Sequence, residues 1–137
     1  MSIEETSEFA AIQTEEAPRA IGPYSQAFVV SEGRMVFVSG QVGIDPATAK
    51  MVRGGVAEQT QQVMHNLRAV LLAAGGDLRS IVRTTIYLKN LEDFATVNAV
   101  YASYLEAPYP ARATVEVARL PVDALVEIDA IAVVSSR

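Results

Sequence analysis

The sequence predicts an α+β domain in which one mixed β-sheet carries two helices on a single face. Three observations predict it. Residues 56–74 repeat apolar side chains at helical spacing, with Val56, Val63, Leu67, Val70, Leu71 and Ala74 on one face. The C-terminal runs 112–118 and 125–134 alternate as strands do. The chain has 137 residues, 50% of them hydrophobic, which suits one core. The order hairpin, helix, strand, helix, two strands then has its simplest solution in two layers.

Residues 1–8 are polar and acidic and read as a frayed tail, leaving 9–137 as the domain. Residues 9–13 suit a short edge strand. The loop EEAPRAIGPYSQ holds two prolines and a glycine, which argue against both helix and central strand. Residues 27–30 and 35–39 are β-rich and are joined by Ser31, Glu32, Gly33 and Arg34, which predicts a β-hairpin. GQVGIDPATAKMVRGG follows as a long loop, and long ordered loops are often functional.

Gly75-Gly76 offers the left-handed stop that a helix C-terminus favours. A strand at 81–88 comes next. Asp93 is the predicted N-cap of a second helix whose face carries Phe94, Val97, Tyr101, Tyr104 and Leu105. Pro108 and Pro110 end it. In the last strand Val126, Ile128, Ala130, Ala132 and Val134 share one face. The other face holds Glu127, Asp129, Ile131 and Val133, charged at its start and apolar at its end. With helices on one side only, that second face predicts contact with another copy of the chain.

Composition narrows the function. The net charge is −5 and the pI about 4.8, which argues against a broad nucleic-acid surface. There is no cysteine, hence no disulfide framework and no thiolate nucleophile. The start MSIEETSEF lacks the features of a secretory signal, and no apolar run is long enough to span a bilayer, so a cytoplasmic protein without membrane partners is expected. His65 is the only histidine and has no partner at metal-ligand spacing. Glu127 and Asp129 alone are weak grounds for a metal site, and none is expected.

Arg112 and Glu127 stand out instead. Alternation puts Arg112, Thr114 and Glu116 on one face of their strand, and Glu127 with Asp129 on one face of theirs. If these strands pair, a guanidinium could lie near a carboxylate. A structural ion pair is one reading. The other is a clamp for an anionic substrate beside an acid/base group. Chemistry alone leaves the two level. Gly22-Pro23-Tyr24-Ser25 sets a phenol on a rigid loop, and Ser39-Gly40-Gln41 sets a hydroxyl and a permissive backbone at a strand end; each could equally be a turn.

These pieces occur together. IGPYSQ, VFVSGQVGIDP, TTIYLKNLEDFATVNAVYASY and PARATVEVARLPVDALVEIDAIAV, in this order over residues 10–135, resemble the RidA/YjgF/Yer057c family. The resemblance implies a chorismate-mutase-like fold, a homotrimer, and ligand clefts between neighbouring subunits. It implies cofactor-independent hydrolysis of reactive 2-imino acids (2-iminobutanoate, 2-iminopropanoate) to 2-keto acids and ammonia. A small-carboxylate-binding regulatory trimer and a related deaminase acting on 2-aminomuconate are the alternatives. A ribonuclease activity is also attached to the family, and the acidic pI and lack of a histidine pair argue against it.

Residue by residue, Arg112 matches the family arginine that grips the substrate carboxylate, and Glu127 the glutamate that positions water. Tyr24 matches the tyrosine of the GPY loop, and Ser39 and Gly40 the strand-end residues lining the site. Asn98 matches a recurrent asparagine with a more structural role. Thr114 stands where many members carry cysteine; its main-chain groups can still contact ligand, but a thiol cannot act there. Glu116 and Asp129 match no functional position and read as structural or solvent-facing charges.

Overall fold

The structure, a computed structural model, describes residues 9–135. The tail expected at 1–8 lies outside the described residues. The elements are β1 (Phe9–Ile12), β2 (Ala27–Val30), β3 (Arg34–Gln41), β4 (Ile44–Asp45), β5 (Lys50–Met51), α1 (Val56–Ala73), β6 (Ile81–Leu88), α2 (Phe94–Ser103), β7 (Ala111–Glu116) and β8 (Val126–Val134).

The main sheet has four strands in the order β3-β8-β6-β7. β6 and β7 are parallel, joined through α2, and the other pairings are antiparallel. This is the mixed sheet expected, with two differences. β2 does not form a hairpin with β3. It pairs with β1 across the proline-containing loop, while β3 pairs with β8. A local turn at 31–34 was the basis for the hairpin, but the alternating edge of β8 offers β3 a longer register, from Arg34↔Val134 to Gln41↔Ile128. The long loop after β3 also contains a two-residue ladder, β4 with β5.

α1 starts where Glu58 Oε1 accepts a hydrogen bond from the Gly55 N–H at 2.8 Å, an end-capping contact. It stops as expected: Gly75 has φ +91°, and the Gly76 N–H returns to the Leu71 carbonyl at 2.8 Å. Asp93 occupies the N-cap position of the second helix, as expected, but makes no side-chain cap bond; a 3₁₀ turn at Leu91–Asp93 precedes α2, and Asn90 caps that turn through the Glu92 N–H.

Both helices lie on one face of the main sheet. Val63, Met64, Leu67 and Leu71 of α1 and Val97 and Tyr101 of α2 are buried against Val38, Ile86, Leu88, Val126, Ile128 and Ala130. The other face is open in part. Met35 and Phe37 of β3 are 53% and 70% exposed there, opposite Val133 and Ile131. Among the described residues no helix is long and apolar enough to cross a membrane.

Candidate active site

Arg112 lies in β7 in register with Thr84 of β6. Thr84 is a core residue whose hydroxyl hydrogen-bonds the Tyr101 hydroxyl at 2.8 Å. Arg112 therefore faces α2, and its Nη1 donates to Asn98 Oδ1 at 2.6 Å. Three rings surround the guanidinium. Its Cζ lies 5.3 Å from the Tyr24 ring centroid and 5.5 Å from those of Phe94 and Tyr101, within cation–π range.

The GPYS segment reaches this place because it is tied to the head of β7. The Ser25 N–H donates to the Pro110 carbonyl at 3.1 Å, Ser25 Oγ donates to the Tyr109 carbonyl, and Ser25 bridges Ala111. The Tyr24 N–H closes a tight turn onto the Gly22 carbonyl at 2.8 Å. Burial lowers the Arg112 pKa, opposed by Tyr101 and Tyr24. The group still carries its charge at neutral pH. The ion pairs among the described residues leave Arg112 without a carboxylate. It is a half-buried cation held by an amide and three rings, an arrangement suited to binding an anion.

Glu127 sits elsewhere. It aligns with Tyr87 of β6. Thr84 and Tyr87 are three residues apart in one strand, so they face opposite sides of the sheet. Arg112 and Glu127 do the same, with β6 between their strands. The ion pair that strand pairing would have allowed within one chain does not form. Glu127 packs on the β3 bulge between Val38 and Gln41, where the register shifts. A Cβ on Gly40 would collide with Glu127 Oε2, so glycine makes room for this carboxylate. Ser39 is exposed in the same bulge, and its carbonyl accepts from the Gln41 amide at 3.2 Å.

The neighbouring charges have structural partners. Asp129 accepts from the Tyr87 hydroxyl at 2.9 Å, and this bond is the largest cause raising the Tyr87 pKa. Glu116 Oε1 accepts from the Leu91 N–H at 2.8 Å. His65, exposed on α1, hydrogen-bonds the Tyr104 hydroxyl at 3.1 Å.

Two groups thus emerge: Arg112, Asn98, Tyr24 and Thr114 on the helix side, and Glu127, Gly40 and Ser39 on the open side. A cleft of about 480 Å³, lined by Leu78, Tyr104 and Pro108 among others, touches neither group. Its cations Arg68 and Arg79 are already paired with Asp77 and Glu106, so it offers an anion less than Arg112 does. Another cleft, of about 430 Å³, includes Gly40 and Gln41. No group of three or more His, Cys, Asp or Glu that could hold a metal is present among the described residues.

Residues 14–134 match the family model described as Endoribonuclease L-PSP. The chain belongs to this family, the RidA/YjgF proteins. A 2-iminobutanoate/2-iminopropanoate deaminase from Bos taurus is 49% identical over 122 residues, covering 89% of this chain and 88% of the relative. The crystal structure of RidA from the Antarctic bacterium Psychrobacter sp. PAMC 21119 superposes with a TM-score of 0.72 at 46% identity, covering 91% of this chain and 99% of that one. That of E. coli TdcF with bound serine has a TM-score of 0.71 at 42% identity, covering 92% and 99%.

In this RidA/YjgF chain, sequence reasoning missed the surroundings of Arg112. Phe94 and Tyr101 read as the apolar stripe of the second helix. Asn98 lies between them at spacings of four and three, so all three share one helix face. A polar residue centred in an apolar stripe was the available signal.

Proposed function

We propose that this RidA/YjgF protein is a cofactor-independent deaminase that hydrolyses 2-imino acids such as 2-iminobutanoate and 2-iminopropanoate to 2-keto acids and ammonia in the cytoplasm. The half-buried Arg112 guanidinium, held by Asn98 and left without a carboxylate partner among the described residues, carries this reading. Its remaining N–H donors suit a bidentate grip on a substrate carboxylate. The names of the relatives support the same chemistry.

Because Arg112 and Glu127 lie on opposite faces, a small substrate held by one cannot meet the other within a single chain. A homotrimer in which the open sheet face of one copy meets the Arg112 edge of the next brings them together. Exposed Met35 and Phe37 give that face apolar surface to bury. In the assembled site Tyr24 and Ser39 help position substrate and water, and the Gly40 and Thr114 backbones line the cleft.

The steps balance without an added reagent. Water attacks C2 of the imine as one of its protons passes to Glu127, and the nitrogen takes up that proton. The resulting carbinolamine collapses. C2–N breaks as C2=O forms, the hydroxyl proton goes to nitrogen, and ammonia leaves. Orientation of substrate and water supplies most of the acceleration.

Mixed assemblies test this. Arg112→Ala and Glu127→Ala should each be inactive alone. Co-expressed, they should recover about a quarter of wild-type ammonia release from 2-iminobutanoate, because roughly one interface in four would pair an intact arginine with an intact glutamate. No recovery would refute a shared site, and a wild type that does not accelerate ammonia release would refute the deaminase reading.

A further inference from the structure

Two carboxylates share the open face of β8. Glu127 and Asp129 are alternate residues, about 7 Å apart along the strand. Either could draw a water and take its proton. One side chain of the neighbouring strand separates their roles. Tyr87 of β6 is the register partner of Glu127, and Thr85 that of Asp129, so all four lie on this face.

Tyr87 and Glu127 start opposite each other and part. The Tyr87 hydroxyl donates to Asp129 Oδ2 at 2.9 Å, diagonally across the strand pair. Glu127 turns the other way, onto the β3 bulge, where Gly40 makes room for its Oε2. Among the described residues Glu127 has no hydrogen-bond or ion-pair partner. The bond to Asp129 raises the Tyr87 pKa most, and the Glu127 charge acts in the same sense. The phenol therefore keeps its proton at neutral pH. It has only one to give, and Asp129 accepts it.

We propose that Tyr87 is a positioning residue for the hydrolytic water: by engaging Asp129, it leaves Glu127 as the free carboxylate of this strand pair. This rests on Glu127 being the group that takes the water's proton. Without the phenol, Asp129 becomes a second acceptor. A water drawn there sits a residue pair away from an imine carbon aligned with Glu127, and much smaller misplacements already slow a reaction. Substrate binding is spared, because Arg112 grips the carboxylate from a different strand.

Steady-state ammonia release from freshly generated 2-iminobutanoate tests the inference. Tyr87→Phe should lower kcat about fivefold to tenfold, the scale of one misdirected hydrogen bond, with little change in KM. Tyr87→Phe/Asp129→Ala should return kcat close to the wild-type value, because the competing carboxylate is gone. A second truncation would not repair a merely structural loss. Thermal melts on the same samples confirm folding, and Tyr87→Leu replaces the phenylalanine variant if that one does not fold. An unchanged kcat in the single variant, a fall carried by KM alone, or a double variant no faster than the single would overturn the inference. A wild type that does not accelerate ammonia release would sink the deaminase reading and this inference with it; wild-type turnover without the loss and rescue would sink only the role of Tyr87.

Discussion

Asn98 Oδ1 accepts a hydrogen bond from Arg112 Nη1 at 2.6 Å, joining α2 to the edge strand β7 at the centre of the candidate site. The contact orients the guanidinium without neutralising it. A carboxylate in the same place would do both, which makes the amide informative. Asn98→Ala should raise KM for an imino acid about tenfold, the scale of one charge-assisted hydrogen bond, with a smaller change in kcat. Asn98→Asp should bind 2-oxobutanoate more weakly still while its melting temperature stays level or rises, because the new anion then competes for Arg112. Calorimetry and thermal melts on the same samples check both; wild-type affinity in Asn98→Asp would rule the competition out.

Gly40 makes a second, separable prediction. A methyl group there meets the far end of the Glu127 side chain rather than backbone. The carboxylate can swing away, so Gly40→Ala should lower the melting temperature little. Turnover of 2-iminobutanoate should nevertheless fall by an amount approaching that of Glu127→Ala. Full activity in Gly40→Ala would show that the observed Glu127 placement is not needed.

Phe37 bears on assembly. It is 70% exposed in the single chain, so replacing it removes little intrachain packing. Phe37→Glu places a charge in the face proposed to be covered by a neighbour, where desolvating it is costly. Light scattering should find a folded monomer, and ammonia release should fall with the loss of the shared site. An intact trimer would locate the subunit contact elsewhere.

The buried pair beneath Arg112 predicts a pH response. Burial is the largest cause raising the Tyr101 pKa above its ordinary 10.0, and the bond to Asp129 raises that of Tyr87. An acid that holds its proton more tightly when folded stabilises the fold fully below its unfolded pKa, and this contribution is lost as pH rises through the folded value. Urea midpoints should therefore hold steady near neutrality and decline above about pH 10. Tyr101→Phe should cost about 1–3 kcal/mol near neutrality by leaving the Thr84 hydroxyl unpaired, and its alkaline decline should be shallower.

Much of the fold was legible in the residues. α1, α2, β6 and β8 follow from periodicity, and the glycine stop after α1 from backbone conformation. Pairing partners were less so. The stretch around 27–39 carries a hairpin signal, yet β3 joins β8, because the competing partner lies about a hundred residues away and local turn chemistry does not report on it. Asp93 keeps the N-cap position of α2 but makes no capping bond, and the side-chain cap found nearby is that of Asn90 on the 3₁₀ turn before it, an insertion that helical periodicity does not report.

By itself, the sequence determined the fold class, the family and the candidate residues Arg112, Glu127, Tyr24, Ser39, Gly40, Thr114 and Asn98, because side-chain period and motif spacing are properties of the chain. The tertiary structure decided how they divide. β6 lies between the strands of Arg112 and Glu127, and an odd separation between their register partners, Thr84 and Tyr87, turns them to opposite faces. The same packing gathers Phe94, Asn98 and Tyr101 around a cation far along the chain. Strand order and register are settled by long-range burial and hydrogen bonding, which alternation within any one strand cannot specify.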